Sequence, residues 1–240
     1  MDGVKPHVEG YADLTDTMML RLDHETAPGG YAWIFHTGGD TAKVGLCYIQ
    51  NEIHRARARD GVTIDEYLTE WIERDPRLQD ANRLEGKQHR GSAHIQLPEK
   101  VHTDRFMAIG DTVPTIDPLW GEGIGKCMRS GRAAAIAVDH ALTHSSWTPD
   151  AERLSVYEDL WYEEVAPNAE NRLLMTELLY RASNARYDKL LADLDDLGQE
   201  TLSKANAGSK RAIAKLLKLR DVPTLAGYAW ERLTGQYAGT

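Results

Sequence analysis

Residues 106–132 constrain this chain more than any other stretch. They open on an apolar run, Phe106-Met107-Ala108-Ile109, which predicts a short buried-type strand running into Gly110-Asp111. A loop punctuated by Pro114 and Pro118 follows, and then Gly121-Glu122-Gly123-Ile124-Gly125 at the entrance of a helix. An acidic side chain at a strand end, here Asp111, accepts hydrogen bonds from groups such as a polyol hydroxyl. Gly121 and Gly123 let a ligand approach the backbone where a Cβ would clash. The first helical turn offers unpaired N–H groups and a positive dipole end to electron-rich ligand atoms. Two common phosphate-binding patterns do not fit. A Walker A loop needs glycine where Trp120 stands and Ser or Thr where Cys127 stands. The dinucleotide pattern Gly-x-Gly-x-x-Gly is missed, since Gly121, Gly123 and Gly125 run Gly-x-Gly-x-Gly.

The chain changes character around this segment. Thr17–Leu22, Gly30–Phe35 and Ala42–Ile49 read as strands, and the Gly-Gly-Asp of His36–Thr41 is a hairpin signal between the last two. A helix is expected from Thr63 to about Arg74, with Ile64, Leu68, Trp71 and Ile72 on one face and Asp75-Pro76 ending it. Residues 83–97 look extended. From Ile124 onward the pattern is helical: Ile124 to about Leu142, then Asp150–Glu164, Ala169–Ala182, Tyr187–Leu197 and Ser209–Leu219.

Gly110-Asp111, Pro118 and Gly121-Glu122-Gly123 resemble, position for position, the second flavin-contacting motif of FAD-dependent reductases and hydroxylases built like p-hydroxybenzoate hydroxylase. The resemblance implies that Asp111 bonds the ribityl chain of FAD. It also implies that backbone N–H groups around Gly121–Ile124 face the N1/C2 carbonyl edge of the isoalloxazine ring. A helix N-terminus there would stabilise the negative charge of reduced flavin. The cofactor contacts implied are Gly110, Asp111, Pro118, Gly121, Glu122, Gly123 and Ile124. A second segment, Pro28-Gly29-Gly30-Tyr31-Ala32-Trp33-Ile34-Phe35, resembles the Pro-x-x-Tyr-x-Trp-x-Phe signature of geranylgeranyl reductases. That family saturates isoprenoid double bonds, including the chains of archaeal ether lipids. Period-2 spacing points Tyr31, Trp33 and Phe35 to one face of a strand, where Tyr31 and Trp33 are expected to line the path of a polyprenyl substrate. The sequence departs from the family where Pro-Lys usually follows the Phe, having His36-Thr37 instead.

The fold this implies is of the α/β (α+β) flavoprotein type, a partial p-hydroxybenzoate hydroxylase-like architecture. It has an antiparallel substrate-domain sheet, a returning strand–loop–helix of the FAD domain and a helical C-terminus. The expected division is 1–103 for substrate binding, 104–145 for the C-terminal part of the FAD domain and 146–240 for the helical region. The family's N-terminal strand–Gly-x-Gly-x-x-Gly–helix, which holds the ADP half of FAD, has no counterpart here, so a separate segment is expected to supply it. The implied activity is an FAD-dependent reductase acting on CH–CH bonds of an isoprenoid lipid, with hydride from reduced flavin. The electron donor, NAD(P)H or a ferredoxin-type protein, and the catalytic proton donor are not identified by any residue. Other flavin-superfamily chemistry (a monooxygenase, halogenase or quinone-linked dehydrogenase) and a non-catalytic fragment are the alternatives.

Composition narrows the partners. With 37 acidic against 28 basic residues and a net charge of −9, no basic face advertises nucleic acid. No stretch approaches the ~20 apolar residues of a membrane span, and Met1–Pro6 lacks the apolar core of a signal peptide. Two cysteines, Cys47 and Cys127, fit packed thiols in a reducing cytoplasm. His140 and His144 have helix spacing compatible with metal but no third ligand near them, so no metal is expected. His89 and His94 are weak pocket candidates. Residues 203–220 carry Lys204, Lys210, Arg211, Lys215, Lys218 and Arg220 without one acid, beside an apolar stripe of Ala212, Ile213, Leu216 and Leu217. A basic amphipathic helix of this kind docks on anionic lipid, which suggests a peripheral position at the inner face of the membrane.

Overall fold

Strands before residue 50 have one face to bury and one to spare, because their side chains alternate. The computed structural model describes residues 2–4, 7–9, 17–50, 55–86, 88–143 and 149–234. Seven strands form one sheet: β1 (Asp2–Val4), β2 (His7–Glu9), β3 (Met18–Arg21), β4 (Gly30–Gly38), β5 (Thr41–Tyr48), β6 (Asn82–Arg83) and β7 (Arg90–Gly91). Their order is β3-β4-β5-β1-β7, with β2 paired to both β5 and β6, and every pairing is antiparallel. The β4–β5 hairpin turns where the sequence signals it, at Gly38 and Gly39, whose φ values of +100° and +58° suit glycine. Ala32, Ile34, Ala42, Val44 and Leu46 supply the buried face of the sheet.

That face packs on α1 (Ile64–Arg74), which contributes Tyr67, Leu68 and Trp71. Thr63 caps the helix in a reciprocal box with Glu66. Asp75 ends it and is itself buried, accepting from Trp71 Nε1 at 3.1 Å and from Arg77 Nε at 2.7 Å. Among the described residues of 83–97, regular structure is confined to the end of β6 and to β7. By packing, the described residues up to Ser92 together with Tyr180–Ala192 make one compact unit. Ala93–Leu179 and the described residues from Asp193 onward make the other.

In the second unit, α2 (Ile124–Thr143) buries Ser130, Ala133, Ala137 and Ala141. This narrow stripe of small residues lets a neighbouring backbone come close. It meets α3 (Ala151–Leu160) and the π-helical turn Trp161–Val165 through Tyr157, Trp161 and Val165. Ile136 and Val138, larger and apolar, point outward instead. Phe106–Ile109 departs from the expected buried strand. Only Phe106–Met107 (β9) is extended, paired with His102–Thr103 (β8), and Phe106 and Ile109 are exposed. A two-strand ribbon lacks a second layer over its outer face, and the neighbouring core is made by Val101 and Val113. Among the described residues, the remaining α-helices are α4 (Ala169–Arg181), α5 (Asn184–Asp195), α6 (Gly198–Asn206), α7 (Lys210–Leu216) and α8 (Val222–Thr234). The pattern does not announce α6 or α8. In α8, Pro223 sits in the first turn, where no intrahelical bond needs its missing N–H.

A methyl group at Gly30 would lie 1.8 Å from the Cys47 carbonyl oxygen. Gly30→Ala is therefore expected to destabilise by about 3 kcal/mol or more, read as a lowered midpoint in urea unfolding. Gly39→Ala, open on all sides within 4 Å but left-handed in φ, is expected to cost about 1 kcal/mol.

Candidate functional site

Gly110 adopts a φ of +58°, which turns the chain out of the β8–β9 ribbon into a single 3-10 turn, Gly110–Thr112. Its N–H donates to Ser130 Oγ at 3.0 Å, and Ser130 in turn donates to the Cys127 carbonyl at 2.8 Å. The start of the loop is thus pinned to the buried stripe of α2. Thr115, fully buried, donates its hydroxyl to the Gly110 carbonyl at 2.9 Å. Asp111 remains exposed, with the Cys127 thiol donating to its Oδ1 at 3.4 Å. Burial pushes the Cys127 thiol up, and the Asp111 charge adds to this, so it stays protonated as a donor. A Cβ built on Gly123 would stand 3.4 Å from Asp111 Oδ1. The Gly-Asp and Gly-x-Gly halves of the sequence pattern therefore converge on one spot.

The loop between them closes around Asp117, whose role the sequence pattern does not single out. The Asp117 N–H donates to the Glu122 carbonyl at 2.7 Å, and the Gly121 N–H donates back to the Asp117 carbonyl at 2.8 Å. Gly121 allows this through a φ of +69°. Its N–H is consequently engaged inside the loop and is not offered to a ligand. The Asp117 carboxylate is buried. Oδ1 accepts the N–H groups of Leu119 and Trp120 at 3.0 and 3.1 Å. Oδ2 receives Lys126 Nζ at 3.3 Å and the Nε and Nη2 of Arg172. Burial alone would raise this carboxyl, but the hydrogen bond and charge of Arg172, with the charge of Lys126, hold it below the usual carboxylate range. An Asp followed by Pro118 and two N–H groups is the signature of an Asx turn, and the Asp-Pro pair that signals it is present in the sequence.

Pro118 is buried behind the loop, while the Glu122 side chain faces solvent. The first intrahelical bond of α2 runs from the Cys127 N–H to the Gly123 carbonyl, so the N–H groups of Ile124, Gly125 and Lys126 have no carbonyl partner inside the helix. Ile124 and Met128, one turn apart on this helix, are exposed, and Phe106 and Ile109 are exposed on the chain that leads into the loop. The result is an acidic acceptor and a run of N–H donors at a positive helix end, with exposed Ile124 opening that helix. That donor set suits a ligand with hydroxyls and a flat, electron-rich ring.

Tyr31 and Trp33 lie in the sheet unit, on the face opposite Ala32 and Ile34. Tyr31 tilts against Trp33 at 5.6 Å between centroids, and Trp33 stacks on Phe35 at 6.0 Å. Both Tyr31 and Trp33 are buried. Tyr180, from the end of α4, stacks on Tyr31 at 6.4 Å with an interplanar angle of 13°. Register places Leu20 and Met18 beside Trp33 and Phe35, and both are exposed. His24 anchors the covering segment. Its Nδ1 accepts from the Gly29 N–H at 3.1 Å, so Nε2 carries the proton donated to the Ala182 carbonyl at 2.6 Å. Burial holds this imidazole below its ordinary value, as a neutral tautomer requires. Arg57 donates to the carbonyls of Tyr180 and Arg181.

His89, His94 and His140 are exposed, and His144 lies outside the described residues. Among the described residues no group of three His, Cys, Asp or Glu is placed to hold a metal ion. The apolar stripe expected on residues 203–220 is not free. Ala212 and Ile213 are buried against Ala205, with Met175 and Leu216 packed on them. The reason is α6, whose Ala205 packs against this stripe of α7.

The geranylgeranyl reductase catalytic domain, as a family model, matches residues 4–87. A digeranylgeranylglycerophospholipid reductase of Haloferax volcanii is 63% identical over 228 residues, 95% of this chain and 56% of that protein. The reductase of the same name from Methanocaldococcus jannaschii is 33% identical over 80% of this chain and 44% of its own length. The chain spans about half the length of the curated relatives it matches. A geranylgeranyl bacteriochlorophyll reductase-like protein from Thermoplasma acidophilum has a similar fold, with a TM-score of 0.72 at 22% identity, covering 90% of this chain and 50% of that one. A flavin-dependent brominase gives a TM-score of 0.60 at 17% identity, over 96% and 56%. The expected architecture, an antiparallel sheet with a strand–loop–helix and a helical C-terminus, is the one these folds share.

The charge cluster makes a pH-dependent prediction. Because the folded carboxyl of Asp117 is held low, its contribution is present above the unfolded value of about 3.9 and is lost as pH falls through the folded value. Asp117→Asn is expected to destabilise by about 3 kcal/mol near pH 6, leaving Lys126 and Arg172 without their counter-ion. In urea titrations from pH 6 down to pH 2, the gap between variant and wild type should close.

Proposed function

We propose that this chain, similar to geranylgeranyl reductases over residues 4–87 and to a curated reductase along 95% of its length, is a member of that family and forms the substrate-facing and flavin-contacting portions of an FAD-dependent reductase. The substrate would be an isoprenoid lipid, namely the geranylgeranyl chains of archaeal-type ether lipids. The observation that carries this reading is the meeting of Asp111 with the Gly121–Ile124 turn at one exposed spot. FAD, when bound, supplies hydride for the reduction of an alkene. Asp111 would accept a hydrogen bond from its ribityl chain, and the N–H groups of the first turn of α2 would stabilise charge on its ring. Gly110, Pro118, Gly121, Glu122, Gly123 and Ile124 shape that cradle rather than reacting. Gly110 and Gly121 supply the backbone turns, and Asp117 keeps the loop closed.

Residues 1–103 hold the substrate, 104–145 form the flavin-facing part of the FAD domain, and 146–240 form the helical C-terminal region. Tyr31 and Trp33 line the isoprenoid path. An apolar ring wall shut from water aligns a flexible chain and excludes solvent from the reacting bond. The donor of electrons is NAD(P)H or a ferredoxin-type protein. The site of action is cytoplasmic, peripheral to the inner face of the membrane.

Flavin binding tests the reading directly. The purified chain should quench FAD fluorescence on titration, and Asp111→Ala should weaken the affinity roughly tenfold, the loss of one hydrogen bond to a charged group. Unchanged affinity in the variant would falsify the role given to Asp111. With reductant and geranylgeranyl-glycerol lipid, Trp33→Ala should lower turnover at least tenfold while leaving flavin affinity intact. A matched loss of flavin binding would assign Trp33 to folding instead.

A further inference from the structure

The last described helix, α8, carries an apolar face that its own unit leaves open among the described residues. At 100° per residue, Val222, Ala226, Ala229, Trp230 and Leu233 fall within an arc of roughly 100°. Val222, Trp230 and Leu233 are 52%, 65% and 84% exposed, and Leu219, in the turn before the helix, is 92% exposed. Tyr228 faces the other way and is buried. Between Ser209 and Val222 the chain places five cations and a single acid, within a protein whose net charge is −9. Lys210, Arg211, Lys215 and Lys218 are exposed. Their helix packs its own apolar residues on Ala205 and Met175, so it offers charge but no insertion surface.

We infer that α8 lies in the interface of an anionic lipid bilayer, inserting Trp230, Leu233 and Val222 while the cations of residues 210–218 meet the headgroups. A lipid substrate, as the reductase reading has it, gives the contact its purpose, but the geometry of α8 is independent of flavin or substrate. Tryptophan prefers the membrane–water interface, where its ring is half apolar and its N–H stays wet. Among the described residues no helix is long and apolar enough to cross a membrane, so contact by a helix lying in the surface is the form available. Charge favours lipid over a second copy of this chain, since two copies meeting at this element would bring like charges together.

Flotation with vesicles of phosphatidylcholine containing about 30 mol% phosphatidylglycerol provides the test, with pure phosphatidylcholine as control. The wild type is expected to float with the anionic vesicles and at least tenfold less with the control. Trp230→Ser with Leu233→Ser should cut the partition coefficient at least tenfold at an unchanged melting temperature, because both side chains are exposed. Lys210→Ala and Lys215→Ala should each cost about fivefold. Undiminished flotation of the double variant would overturn the inference. So would self-association in sedimentation velocity that the same variant abolishes while the wild type ignores vesicles. Flavin titration is run in parallel. A chain that floats but does not bind FAD upholds the lipid contact and sinks the reductase reading. A chain that binds FAD but ignores anionic vesicles sinks the lipid contact and leaves the reductase reading standing.

Discussion

A buried carboxylate organises the candidate site. Asp117 fixes two loop N–H groups with one oxygen and two cations with the other, so the Gly-rich turn is held from inside rather than by a ligand. Half-measures are costly in such an arrangement. Removing either side leaves an uncompensated charge in a poorly solvated place. With the interior of the loop satisfied, the groups left facing outward are Asp111 and the first-turn N–H groups of α2. A rigid turn presenting a few free donors and one acceptor binds without first having to become ordered.

The sheet divides labour in a different way. Alternation sends Ala32 and Ile34 into a tight contact with α1 and sends Tyr31, Trp33 and Phe35 to the opposite face. Small and branched residues suit the side where a helix must come close, and rings suit the side where a broad apolar wall is needed. Gly30 is the hinge of this arrangement, since any side chain there would enter the Cys47 carbonyl. The ring face is finished by Tyr180 and by the His24 and Arg57 contacts to carbonyls at the end of α4.

Local features are legible in the chain because their causes are local. The β4–β5 hairpin follows from Gly38-Gly39, and α1 follows from the Thr63–Glu66 box and the 3.6-residue period ending at Asp75. The convergence of Gly110-Asp111 with Gly121-x-Gly123 is also within reach, since a dozen residues separate them. The pairing of Asp117 with Arg172 is out of reach, the two being 55 positions apart, as is that of His24 with Ala182 at 158. Phe106 and Ile109 have the composition of core, but apolar type does not reveal whether a second layer exists. The stripe of Ala212 and Ile213 reads as open because no local pattern shows that the neighbouring helix α6 packs against it.

The class of the fold, the strand–loop–helix with its glycine turns and the ring-bearing strand are therefore written in the order of residues alone. These depend on backbone sterics and on side-chain alternation, which act between near neighbours. Which apolar surfaces are covered and which are left over is settled later, when the elements pack. Packing buries the stripe on α7, exposes the one on α8 and chooses the partners of Asp117. Burial and charge pairing are properties of elements brought together from distant parts of the chain, and no local pattern carries that information.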